Sequence, residues 1–146
     1  MIRYVLDASV AAKWVLPANG EPLSKEAALL LAAHSAGEVR FLVPDLFWSE
    51  IASILRKAAK AGRISERSAV DAAEWLARVS MRTQPVKPFM VDALKLAFAL
   101  DISAYDSSYL TLASLSKSQM VTADLRLVRA AGPSLPVMWL GTVRSD

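Results

Sequence analysis

Short apolar runs of strand character alternate with longer stretches of helical periodicity along the whole chain, and this alternation restricts the fold more than any other feature. The run RYVL (residues 3–6) is β-branched and aromatic enough for a short strand, and it leads through Asp7-Ala-Ser into AAKWVL, which has helical composition. Leu23, Ala27, Leu30 and Leu31 recur at helical spacing and predict a helix over 21–35, with Gly37 as its stop. VRFLV predicts a buried strand, after which Pro44 and Asp45 open a long helix to about Ala61 that Gly62 closes. Ser65 caps a further helix to about Val79, and MRTQPVKP, punctuated by two prolines, predicts an irregular edge strand. Helices over 91–100 and 105–115, a strand QMVTA, a short helix from Asp124 to Ala130 and a last strand PVMWL complete the pattern. It predicts an α/β chain with a central, mostly parallel sheet and helices on both faces. No linker or repeat divides it, so residues 1–142 are expected to form one domain and 143–146 a short tail.

A length of 146 residues suits one core, and 54% hydrophobic against 21% charged residues excludes a disordered chain. Charges such as Asp7, Lys13, Asp92 and Asp101 interrupt every apolar run well short of the roughly 18 residues of a membrane span. Asp7 also breaks the apolar region that a signal peptide would need, so a soluble, cytoplasmic protein is expected. With no cysteine and one histidine, His34, the chain excludes disulfides, thiolate zinc sites, cysteine nucleophiles and paired-imidazole metal clusters. Chemistry must come from carboxylates, hydroxyls or cations.

Two junctions, VLDAS ending at Asp7 and MVTAD ending at Asp124, place an acid between a strand and a helix. Ligands of open α/β sheets bind outside the carboxyl ends of the strands, so these acids can share one rim, although each also reads as a helix cap. Glu50 lies on the helix that follows Pro44, with Leu46 and Ile54 at i−4 and i+4, which turns its carboxylate toward the core face; a salt bridge to Arg56 or Lys57 is the alternative explanation. Asp106 by itself reads as an N-cap. Together, four acids near helix starts, without imidazole or thiolate, suit a hard cation such as Mg²⁺ or Mn²⁺.

Four ordered segments, LDASVAAKWVLP, VPDLFWSEIASILRKAAKAGRIS, SAYDSSYLTLA and VTADLRL, resemble the PIN-domain ribonucleases, in particular the VapC-type toxins of bacterial toxin–antitoxin pairs, over nearly the whole chain. The resemblance implies a three-layer α/β/α fold and an acidic metal pocket of Asp7, Glu50, Asp106 and Asp124, with Ser9 and Thr122 in supporting hydroxyl positions. It implies RNA cleavage by a metal-activated water, with Asp7 and Asp106 as primary ligands and Glu50 and Asp124 as ligands or water-positioning groups. A homodimer and a cognate antitoxin are implied as partners. The chain departs from the family pattern at Ser107, where alanine is usual, and at SLSKSQ, where a glycine-containing turn is usual.

The formal net charge is +3, and with the four acids set aside 10 acidic residues face 17 basic ones, which fits a polyanionic substrate. Lys13, Arg56, Lys57, Lys60 and Arg126 are the candidate RNA phosphate contacts, with Arg63 and Arg129 nearby, against the alternative of ordinary solvated helix faces. Trp14, Trp48, Trp75 and Trp139 lie among apolar residues and are assigned to core packing, and His34 to a helix surface. A phospho-acceptor switch domain would need paired acids after the first strand and a late lysine, both absent here. A catalytically silent binding module with the same fold would be expected to have lost one of the four acids, all of which are present.

Overall fold

In the computed structural model, which describes residues 1–145, strands and helices alternate as β1 (Ile2–Leu6), α1 (Ala8–Val15), α2 (Ser24–Ser35), β2 (Val39–Pro44), α3 (Leu46–Lys60), α4 (Glu66–Arg78), β3 (Met81–Gln84), α5 (Met90–Leu100), α6 (Ala104–Leu115), β4 (Gln119–Thr122), α7 (Leu125–Ala131) and β5 (Val137–Trp139). Short 3₁₀ turns cover Lys87–Phe89 and Leu140–Thr142. The strands form one sheet in the order β3-β2-β1-β4-β5, and every pair is parallel. The expected three-layer α/β/α fold is present, with a sheet that is wholly rather than mostly parallel.

Parallel strands need crossovers, and these are almost always right-handed. The chain steps from β1 to β2 to β3 toward one edge, then returns to β4 and steps to β5 at the other. Right-handed crossovers therefore put α1 to α4 on one face and α5 to α7 on the other. On the first face Phe41 of β2 packs against Trp14 of α1 and His34 of α2. Burial on both sides explains the continuous apolar runs of β1 and β2: Val5, Leu6, Phe41, Leu42 and Val43 are all buried. Each such side chain contributes roughly 1.5–3 kcal/mol by leaving water.

Local departures from the sequence reading have local causes. The second helix starts at Ser24 rather than 21, because a residue preceding proline, here Glu21 before Pro22, is disfavoured in helical geometry. The edge strand β3 stops at Gln84, before Pro85, as the prolines require. His34 is not a free surface residue: its ring stacks on Phe41 at 4.8 Å and its Nδ1 lies 3.0 Å from the Val39 carbonyl oxygen. Trp14, Trp48 and Trp75 pack against the core, and Trp139 lies over Gly141. Val143 still packs on the core and Arg144 donates to the Gly141 carbonyl, whereas residue 146 of the expected tail lies outside the described residues. Among the described residues no helix is long and apolar enough to cross a membrane.

Candidate active site

The direction of chain travel reverses between β1 and β4, so the helices that follow them part to opposite faces and leave a crevice above the carboxyl ends of these strands. Asp7 ends β1 at this point, and its N–H donates to the Val121 carbonyl at 3.1 Å. Although Asp7 occupies the N-cap position of α1, its carboxylate makes no capping bond to that helix's later turns. Its Oδ2 instead accepts from Ser9 Oγ at 2.8 Å and from Thr122 Oγ1 at 2.7 Å. The two hydroxyls are themselves fixed: Ser9 accepts from the Ala123 N–H and Thr122 from the Asp124 N–H. A side chain only 7% exposed is thus stitched to the first turn of α1 and the end of β4.

Glu50 projects from α3 into the same region. Among the described residues it has no ion-pair partner, so the salt bridge to Arg56 or Lys57 is absent. Its partner is Tyr109 of α6, whose hydroxyl donates to Oε1 at 2.7 Å. Asp106 is not the cap of α6 as its surroundings in the sequence suggest. Ser103 takes that role, accepting from the Asp106 N–H at 3.0 Å, and leaves the Asp106 carboxylate in the first turn without a capping duty. Asp124 does cap α7: Oδ1 accepts from the N–H groups of Arg126 and Leu127.

The acids interact electrostatically. Burial pushes the Asp7 carboxyl above its usual range, against the opposing hydrogen bonds from Thr122 and Ser9. Burial likewise raises Glu50, opposed by the Tyr109 bond and reinforced by the charges of Asp7 and Asp106. Asp106 is raised by burial, then by Asp7 and Asp124. All four candidates therefore gather at one rim. Burial and the charges of Asp7 and Glu50 push Tyr109 far above the ordinary phenol range, so it is a permanently protonated donor.

Among the described residues no three acidic side chains already stand close enough to enclose an ion. The donor set nonetheless fits a hard divalent cation: it is all oxygen, with Asp7 buried, Glu50 and Asp106 half-buried, and charges that repel one another. Mg²⁺ in particular is usually held by one or two carboxylates while waters or phosphate oxygens complete its shell, so a full protein cage is not required.

The cations divide. Lys57 lines a cleft of about 420 Å³ together with Ser49, Ser53, Tyr105 and Glu50, the one of the four acids that borders it. Arg56 and Lys60 line a different groove, between α3 and α4. Lys13 is tied down as well: its side chain, 6% exposed, pairs with Glu21 at 3.1 Å, and Glu21 also binds Arg63. Arg126 is exposed on the first turn of α7, beside Asp124. Tyr105 and Tyr109 are the site residues the sequence reading passed over. Tyr109 was legible in part, since it stands at i+3 from Asp106 and so shares its helix face.

The PIN-domain family profile matches residues 4–133. The chain belongs to the PIN-domain family. This PIN domain is 34% identical over 98 residues to a VapC ribonuclease of Mycobacterium bovis and to ribonuclease VapC9 of Mycobacterium tuberculosis, a match covering 67% of this chain and 76% of either relative. Its fold is also that of PAE2754 from Pyrobaculum aerophilum, with a TM-score of 0.71 and 21% identity over 97% of this chain and 85% of that one. These mycobacterial relatives place the chain among VapC-type PIN domains, and the likeness to the Pyrobaculum structure extends to the whole three-layer architecture.

Proposed function

We propose that this PIN domain is a cytoplasmic endoribonuclease toxin that hydrolyses RNA phosphodiester bonds with Mg²⁺, Mn²⁺ being an alternative ion, and that a cognate antitoxin holds it in check. The observation that carries this reading is the gathering of Asp7, Glu50, Asp106 and Asp124 at the switch point of the sheet, in a domain whose relatives are named ribonucleases. Asp7 and Asp106 are the primary ligands; Glu50 and Asp124 either complete the site or position the attacking water. The bound ion would supply Lewis-acid activation of that water and of the scissile phosphate. Ser9 and Thr122 hold the Asp7 carboxylate in place.

Around this centre Lys57 binds a backbone phosphate and Tyr105, 64% exposed at the cleft, offers a stacking face to an unpaired base. Arg126 is placed to hold a further phosphate. The exposed apolar residues Val91, Leu94 and Phe98 on α5, spaced along one helix face, support the homodimer.

The test is cleavage of total cellular RNA by purified, antitoxin-free protein with Mg²⁺, with EDTA and as Asp7→Asn. Metal-dependent cutting lost in the variant supports the ribonuclease. Wild type and variant equally inert with Mg²⁺ and Mn²⁺ favour a silent binding module, and equal activity in both indicates a contaminant.

A further inference from the structure

Tyr109 is fully buried, yet a Phe would fill the same space with no polar atom to accommodate, so its hydroxyl calls for an explanation. That hydroxyl donates to Glu50 Oε1 at 2.7 Å and so ties α6 to α3. An ionised carboxylate can only accept, so the single phenolic proton is committed to Glu50.

We infer that Tyr109 is a positioning residue for the acidic centre, engaging Oε1 of Glu50 so that Oε2 is turned toward the other acids and available to a divalent cation. The inference rests on the metal-dependent reading above. Without the bond, a half-buried Glu50 with no cation to hold it would swing away from Asp7 and Asp106, whose charges repel it. The other hydroxyl contacts at the rim serve Asp7, so among the described residues Tyr109 is the one side chain that restrains Glu50.

The experiment is a calorimetric titration of metal-free protein with MnCl₂, using wild type, Tyr109→Phe, Glu50→Gln and the double variant, with thermal unfolding in EDTA as the control for folding. Orienting partners of metal ligands are worth about 10–100-fold in affinity, so Tyr109→Phe should unfold cooperatively yet bind Mn²⁺ at least about 10-fold more weakly. In the Glu50→Gln background the same change should add little, because its effect passes through the Glu50 carboxylate. Wild-type affinity in Tyr109→Phe, or a loss of equal size in both backgrounds, overturns the inference while leaving the metal reading in place. If Tyr109→Phe does not fold cooperatively, its hydroxyl serves the fold and the inference is overturned likewise. Wild-type protein that takes up no Mn²⁺ overturns the metal reading and this inference together.

Discussion

The Thr122 hydroxyl at the end of β4 donates to Asp7 Oδ2 at 2.7 Å, a buried bond between residues 115 positions apart that fixes the carboxylate at the end of β1. Thr122→Val preserves shape but leaves the Asp124 N–H without its acceptor and Asp7 with one hydroxyl fewer. Loss of a buried partner costs about 1–3 kcal/mol, which lowers the melting temperature by several degrees in a domain of this size. Metal-dependent cleavage should fall about 10–100-fold, and Thr122→Ser should recover most of both. An unchanged melting temperature and rate in Thr122→Val would remove the support role.

Asp7, Glu50 and Asp106 all have carboxyl groups raised by burial in the folded protein, from ordinary values of 3.8 for aspartate and 4.5 for glutamate. Below those values the groups are protonated whether folded or unfolded. As pH rises through the raised folded values, the folded state must ionise buried acids that the unfolded chain ionises freely, and stability falls. Asp7→Asn removes one such group, and its carbonyl oxygen can still accept from Ser9 and Thr122. In EDTA the variant should melt above wild type at pH 7, with the gap closing toward pH 4. A variant that melts lower at pH 7 would show that ionised Asp7 stabilises the metal-free fold.

Lys57 and Arg56 are neighbours in sequence that face different grooves. Lys57→Ala should raise KM for RNA and lower the salt dependence of binding by about one unit of slope, as expected for one lost phosphate contact. Arg56→Ala should leave both near wild type. Equal effects of the two substitutions would mean that the substrate covers both grooves.

Tyr105 tests whether an unpaired base stacks at the cleft. Stacking on an aromatic ring is worth about 1–3 kcal/mol per base, so Tyr105→Ala should weaken binding of a single-stranded oligonucleotide by about 5- to 100-fold, while Tyr105→Phe should not. Measured affinities that are the same for Ala and Phe would exclude stacking.

Lys13 forms a nearly enclosed pair with Glu21, which Arg63 also contacts. Lys13→Met should therefore destabilise the fold, by about 1–3 kcal/mol since Arg63 still compensates Glu21, with KM for RNA unchanged. A raised KM at unaltered stability would restore Lys13 as an RNA contact.

The order of strands and helices, the parallel sheet, and Asp7 and Asp124 could be read from short-range pattern, namely apolar periodicity, proline and glycine punctuation, and acids at strand ends, whereas Glu50 and Asp106 lie on helices and are singled out by their company and by the family resemblance. The limits of α2 and β3 also follow from local chemistry, through Pro22 and Pro85. Other assignments depended on what lies across the fold. Whether Lys13 is free or paired, whether Lys57 or Arg56 shares a cleft with Glu50, and whether Ser103 or Asp106 caps α6 are questions of distance between side chains, and a linear pattern carries only part of the answer. The Tyr109–Glu50 bond joins residues 59 positions apart on helices that pack from opposite faces of the sheet, and only the crossover geometry brings them within 2.7 Å. The sequence determined which chemistry the chain can perform, since residue types and local periodicity are written in it. The tertiary structure decided which of those groups meet, because contact across a parallel sheet is set by the handedness and order of its crossovers.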